Sequence, residues 1–330
     1  MMDFNTLPKI DAHIHYNNSR STLCKLGEAY GFQYLTINTE VPFFPSVKEQ
    51  SEIATGISSH YTDRVEYVGT FQVSEWGKKT WHEQALSEIR ETLDAGARGI
   101  KIWKNIGMEL RDPSGAMVMI NDSRFDPVID YLESNSIPVI GHLGEPRNCW
   151  LPIDEMTVKS DREYFKAHPE YHMHLHPELP SYEDQIGARD AMLDKHPGLR
   201  FIGAHLASLE WSVDKVAKWL NRYPNTAVDL AERINHLQLQ SVSNHSKVAS
   251  FFESYQDRII YGTDIIDDGQ SGEQELSDEL TGRWLDHWKF FSSDEILQSH
   301  EFPGLFRGLN LSGHIIEKIY WKNAKNWYMI

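Results

Sequence analysis

Cysteine is almost missing from this chain, with Cys24 and Cys149 the only two among 330 residues. Two thiols cannot build a disulfide framework at this length, and neither belongs to a C-x-x-C pair. Basic charge is also in deficit: 32 Lys and Arg face 48 Asp and Glu, a formal net charge of −16. Such a surface repels phosphate backbones and anionic lipid headgroups, which excludes general nucleic-acid and membrane-surface binding while leaving room for a local basic pocket. Long apolar runs are lacking, and none approaches the length needed to span a bilayer. The opening segment, Met1 to Ile10, has neither a basic n-region nor an apolar h-region. The sequence therefore reads as cytoplasmic, provided that no leader precedes it. No fixed repeat, low-complexity stretch or Pro/Gly/Ser-rich linker divides the chain, so one domain spanning 1–330 is expected.

What is present suits a globular protein: 40% hydrophobic and 24% charged residues are enough for a sizeable core. Short apolar runs alternate with longer amphipathic segments, the β-α pattern of a parallel sheet with helices outside it. Strands are expected at Ile10–Tyr16, Tyr34–Asn38, Val65–Val73, Ala97–Lys104, Pro138–Gly144, Arg200–Ala207, Thr226–Ala231 and Ile259–Ile265. Eight is the number that closes a barrel. Helical patterns cover Trp81–Ala95, Arg124–Ser134, Tyr182–His196, Val213–Tyr223 and Lys247–Tyr255, several of them stopped by Gly or Pro just before the next strand. Two regions break the rhythm. Residues 145–181 form a long insertion placed to overhang the active face, and residues 267–330 read as C-terminal helices packed against the barrel.

The chemistry begins in the first strand, Ile10-Asp11-Ala12-His13-Ile14-His15, where alternation sends His13 and His15 to one face. Alone, an H-x-H pair is read as well as two half-buried polar residues. Other strand ends carry similar residues, however: His142 closes the fifth, His205 the sixth and Asp264 the eighth. Independent core histidines have no reason to fall at the same level of successive strands, whereas a zinc-type site needs imidazoles and a carboxylate converging on one point.

These segments resemble the amidohydrolase superfamily, and specifically its amidohydrolase-2 branch, over nearly the whole length. The resemblance rests on Asp11-Ala12-His13-Ile14-His15, on His142 in Val-Ile-Gly-His-Leu-Gly, on His205 in Phe-Ile-Gly-Ala-His-Leu, on Asp264 in Tyr-Gly-Thr-Asp and on the closing segment Ile315 to Ala324. It implies an α/β fold, a (β/α)8 TIM barrel, and a divalent metal cofactor with zinc as the expected ion, one or two per chain. It implies His13, His15, His142 and Asp264 as metal ligands, and His205 as either a ligand or a catalytic group beside the metal. Superfamily members with two metals place a carboxylated lysine on the fourth strand, and Lys101 is similarly placed. An unmodified Lys101 that binds a substrate anion is the competing reading. Lys104, an odd number of positions further on, is expected on the opposite face.

Softer candidates follow the strands. Glu145, Arg147 and Trp150 come after the fifth and Arg233 after the seventh, while Trp103 lies on the fourth; all five are candidates for substrate binding. An arginine there suits bidentate capture of a carboxylate, and a loop-fixing salt bridge is the alternative. The run His172 to His176 lies between prolines in a loop and reads as packing or pocket lining. Trp76, Trp103 and Trp150 are candidates for an aromatic rim. The expected partner is a small-molecule substrate, and a homo-oligomer is compatible with the sequence. The expected reaction is metal-dependent hydrolysis of an amide, ester or lactone, with Asp264 and His205 moving protons. The same branch also implies non-oxidative decarboxylation or hydration as an alternative, and a non-catalytic ligand-binding barrel is a further rival.

Overall fold

The computed structural model describes residues 3–330, and it is a closed β/α barrel. The strands are β1 (Lys9–Tyr16), β2 (Phe32–Ile37), β3 (Val65–Thr70), β4 (Ile100–Ile102), β5 (Val139–Gly141), β6 (Phe201–Gly203), β7 (Thr226–Asp229), β8 (Ile259–Ile260) and β9 (Ile265–Asp267). They pair in parallel in the order β8-β7-β6-β5-β4-β3-β2-β1-β9. The expected eighth strand is thus split in two by an irregular stretch over 261–264. Its first half still reaches β1, because the Ala12 amide donates to the Tyr261 carbonyl at 3.0 Å. Its second half pairs along β1 from Ile14 to Tyr16, so the sheet closes on itself.

Closure buries both faces. All eight residues of β1 are buried, as expected for a parallel sheet sheathed in helices. Alternate residues divide between two apolar clusters. Ile10, Ala12, Leu35, Val68, Ile140, Ile202, Ala227 and Ile260 fill the barrel interior, with Tyr328 of the last helix packed on the same cluster. Ile14, Ile100, Ile102, Val139, Phe201 and Val228 face the helices. Glycine appears where two layers come too close for a side chain. A methyl group on Gly141 would overlap the Phe201 ring, and one on Gly203 would overlap Ala207.

The first strand contains a detail that simple alternation misses. Asp11 faces Tyr34 and Ile14 faces Thr36, so Ala12 and His13 together oppose the single residue Leu35. This β-bulge allows Ala12 to sit in the core while His13 and His15, further along, both enter the barrel mouth; bulges re-aim side chains in this way beside functional sites.

Two helices beyond those expected precede β2 and β3, at Thr22–Tyr30 and Val47–His60. The helical pattern seen at Lys247–Tyr255 is the end of a longer helix, Ile234–Ser254, broken at Asn244. The insertion after β5 is a chain of short helical turns around one longer helix, Lys159–Ala167. The C-terminal region is not wholly helical. Between the helix Glu273–Ser292 and the final helical segment lies an antiparallel hairpin, Ile296–Gln298 with Leu305–Arg307. Among the described residues, no helix is long and apolar enough to cross a membrane.

Candidate metal centre and active site

The carboxyl ends of the strands converge on a cavity of about 110 Å3. Its floor carries His13, His15, Lys101, His142, His205 and Asp264, so the fold brings all six strand-end candidates to one place. His13 Nε2 and His15 Nε2 lie 3.2 and 3.3 Å from the same oxygen, Asp264 Oδ1. Lys101 Nζ lies 3.5 Å from His13 Nε2. The His205 ring packs between those of His13 and His142, with centroids 4.9 and 4.3 Å away.

The outer nitrogens of these imidazoles are already engaged. His13 Nδ1 faces Asp229 Oδ2 at 2.7 Å, His15 Nδ1 the Ile37 carbonyl at 2.8 Å and His205 Nδ1 the Ala231 carbonyl at 2.9 Å. All three partners are acceptors, so each Nδ1 carries the proton and each Nε2 presents a lone pair. Burial reinforces this by pushing His15 and His205 below the ordinary imidazole range and His142 down to about 4. Burial opposes the charge on Asp264, and only positive charge beside it, on protonated imidazoles or on a bound cation, holds the carboxyl well below its usual range. Two lone pairs and a carboxylate oxygen therefore point at one another. Asp264 Oδ1 and His142 Nε2 are buried without a hydrogen-bond partner. That arrangement repels itself unless a cation lies between the groups, so the residues fit a divalent metal.

Asp229, at the end of β7, was not singled out in the sequence. It is fully buried; beyond His13, its Oδ1 accepts the His205 amide at 2.7 Å and the Ala231 amide at 3.2 Å. Asp11 acts similarly around Asp264, accepting Thr263 N at 2.9 Å, Thr263 Oγ1 at 2.7 Å and Trp284 Nε1 at 3.3 Å. Burial raises the Asp11 carboxyl to about 6 despite those donors.

The backbone at this rim is unusual. His205, Leu206, Ala207 and Ser208 all have φ between 54° and 57°, a complete left-handed turn without glycine, and Asp264 has φ 64°. Each such residue costs roughly 1–2 kcal/mol relative to the right-handed form. The turn is held by the two Asp229 and Ala231 contacts to His205, by Ser208 Oγ on the Gly144 carbonyl at 2.7 Å, and by Arg189 on the Ala207 carbonyl. Both candidate proton-transfer residues thus sit in strained positions that their surroundings enforce, a recurrent property of functional sites.

The cavity walls are Phe43, Phe44, Trp103, Tyr164 and Tyr171, with Lys104 among them. The placement of Lys104 corrects the expectation from alternation: β4 ends at Ile102, so the pleat no longer governs position 104, which has helical dihedrals and turns back to the mouth. Of the softer candidates, Trp103 lines the cavity and the others do not. Glu145 lies buried behind the wall, ion-paired to Lys104 and 3.5 Å from His142 Nε2. Arg147 is exposed with its guanidinium 4.5 Å from the Trp211 ring, and Trp150 packs edge-on against Tyr182. Arg233 is buried beside Asp161 at 3.9 Å, in the loop-fixing role that was the alternative to substrate capture. Trp76 stacks on Phe125 in the core rather than on a rim. The loop histidines are packing elements, His172 Nε2 bonding the Leu151 carbonyl at 2.8 Å and His176 Nε2 the Pro169 carbonyl at 3.0 Å. A larger open cleft of about 540 Å3, bordered by Glu232, Arg283 and His287, lies to one side and contains none of the six floor residues.

Solved structures of the same architecture include an uncharacterized TIM-barrel protein from Bordetella bronchiseptica, 16% identical with a TM-score of 0.55, covering 98% of this chain and 99% of that one. A 2,6-dihydroxybenzoate decarboxylase complexed with 2,6-dihydroxybenzoate is 14% identical with a TM-score of 0.54, covering 98% and 100%. Dihydroorotase from Saccharomyces cerevisiae, in complex with 5-fluoroorotic acid, is 12% identical with a TM-score of 0.53, covering 98% and 84%. At these identities the likeness establishes the fold. No curated protein sequence matches the chain. The amidohydrolase-2 family model, described as Amidohydrolase, matches residues 10–330. With strands, helices and the strand-end histidines all inside that span, the chain belongs to the amidohydrolase family.

Proposed function

We propose that this chain is a metal-dependent hydrolase acting on an amide, ester or lactone of a small substrate that carries a carboxylate. The observation that supports it most is the meeting of His13 Nε2 and His15 Nε2 at Asp264 Oδ1, with both outer nitrogens already hydrogen-bonded. His13, His15 and Asp264 would hold the ion, with His142 and His205 beside them. A divalent cation, zinc foremost, supplies Lewis acidity toward a substrate oxygen and makes water acidic near neutral pH.

The side chains provide the rest. Asp264 remains a carboxylate at neutral pH and reaches the cavity, so it accepts a proton from attacking water and returns it to the leaving group. His205 keeps its Nδ1 proton on the Ala231 carbonyl, which leaves Nε2 as an acceptor that orients water. Lys101 is wholly buried, and burial pushes its amine down to about 8. It would either donate to the developing oxyanion or, carboxylated, help to hold a second ion.

Elemental analysis of protein purified without added metal tests the centre, and the number of ions per chain decides the role of Lys101. The double variant His13→Ala, Asp264→Asn is expected to lose metal and activity together; an unchanged metal content overturns the assignment. Oxygen-18 uptake from water, measured against carbon dioxide release over a panel of lactones, esters and aromatic acids, tests the reaction. Carbon dioxide release without oxygen-18 uptake would place the chain with the decarboxylases that share this fold.

A further inference from the structure

A second meeting of an imidazole with carboxylates lies at the other end of β6. His196 precedes that strand, as His205 follows it, and its ring faces the helix Asp126–Ser134. Asp126, Asp130 and Glu133 stand at i, i+4 and i+7 on that helix, so the three carboxylates share one stripe. Like charges so placed repel one another, and Glu133 sits in the last turn, where the helix dipole also disfavours a negative charge. Lys195 answers Asp126 at 3.3 Å. Among the described residues, no lysine or arginine pairs with Asp130 or Glu133, and His196 is the group they face.

His196 is only 4% exposed, yet neither ring nitrogen has a hydrogen-bond partner among the described residues. Nδ1 comes within 3.2 Å of Asp130 Oδ1, without the alignment that a hydrogen bond needs, and within 3.8 Å of Glu133 Oε2. Nε2 has Asp126 Oδ1 at 3.6 Å, beyond hydrogen-bonding reach. A polar group buried and unpaired in this way is destabilising. One ligand atom from each of His196, Asp130 and Glu133 lies within 4.8 Å of the other two. Ligands about 2.1 Å from a tetrahedral zinc ion are about 3.3 Å apart, so a cation between these atoms satisfies the nitrogen and both carboxylates after small adjustments. Glu133 is already set for it: its Oε1 accepts the Gly198 amide, which fixes the carboxylate and leaves Oε2 on the side of the imidazole. The Asp130 side chain is 64% exposed, so water can complete the coordination.

We propose that His196, Asp130 and Glu133 form a peripheral site for a divalent transition metal of the zinc type, which fastens the helix Asp126–Ser134 to the turn before β6. An imidazole beside two carboxylates favours such an ion over magnesium or calcium, which take oxygen ligands. The site does not depend on the strand-end centre. With three protein ligands and one side open to water, it fills when zinc is added rather than carrying its ion through purification.

Equilibrium dialysis of the whole protein against micromolar zinc, read together with thermal melting, tests the site. The informative variant is Asp130→Asn with Glu133→Gln, which conserves volume, keeps His196 and leaves an oxygen to accept the Gly198 amide. The parent is expected to take up one zinc ion per chain beyond those it retains on purification, and to melt about 3 °C or more higher as a result. Magnesium at the same concentration should do neither. The variant is expected to lose both the added ion and the shift in melting while keeping the metal retained on purification. No added zinc in the parent, the same uptake in the variant, or uptake without a change in melting overturns the proposal. So does a parent that gains stability over the variant only in acid and ignores zinc, because a proton on His196 would then be what balances the carboxylates. Ions that bear on Lys101 are those retained without added zinc, so the two assignments fail separately.

Discussion

Asp229→Asn is a sharp probe of the site because the substitution changes almost no volume. Asp229 accepts from opposite sides, His13 Nδ1 on one oxygen at 2.7 Å and the His205 amide on the other at 2.7 Å. An asparagine has one acceptor and one donor end, so either placement sets an NH2 group against an N–H. If the NH2 faces His13, the imidazole must move its proton to Nε2, which removes the lone pair directed at the metal. If it faces His205, the left-handed turn loses the contact that holds its first residue. Loss of a buried hydrogen bond to a charged acceptor costs about 1.5–3 kcal/mol of stability. Losing an outer partner of a ligand imidazole weakens metal binding by about 10–100-fold. Metal affinity measured by chelator competition, with urea denaturation of the metal-free and metal-loaded forms, reads both quantities. An affinity within twofold of the parent and an unchanged denaturation midpoint would refute the assignment of tautomers from which the metal centre is inferred.

Three further outcomes are expected. Ser136 is exposed with φ 54°, so Ser136→Gly should stabilise the fold by about 0.5–1 kcal/mol net of the added freedom of the unfolded chain; a lower melting temperature would contradict this. Gly141→Ala should destabilise by about 1–3 kcal/mol and lower activity, since the new methyl displaces Phe201 or the backbone leading to His142; parent-like denaturation and turnover would count against that packing. Burial raises Glu40 to about 6 from an ordinary 4.5, so its contribution is complete below pH 4.5 and is lost as pH rises through 6. Stability should thus fall by about 2 kcal/mol more across that window in the parent than in Glu40→Gln, and parallel pH profiles would exclude the effect.

The strand-end residues were legible in the sequence because each lies where a short apolar run stops, a local signal that survives without knowing which strands are neighbours. The helix Val47–His60 is not among the expected ones, although the Ser46 and Glu49 capping box that opens it is a local signal for it. Asp229 was not legible: Ala-Val-Asp-Leu looks like the end of any strand, and the role of its carboxylate depends on His13 and His205 arriving from distant segments. Alternation misplaces Lys104 because the strand stops at Ile102. The bulge at Ala12 and His13 and the left-handed turn at His205 have no glycine, proline or Asn-Gly signature. Both are imposed by tertiary contacts.

The break after β8 has a consequence for assembly. The barrel is sealed where the first and last strands meet, and there the Asp264 amide donates to the His13 carbonyl at 2.7 Å. The metal candidates on these two strands are 249 or more residues apart in sequence yet straddle a single seam. A nascent chain ending before residue 259 would display both histidines with no carboxylate to complete the set. If the proposed ion binds here, its capture would latch ring closure, and amide exchange along β1 would slow markedly when the ion is added.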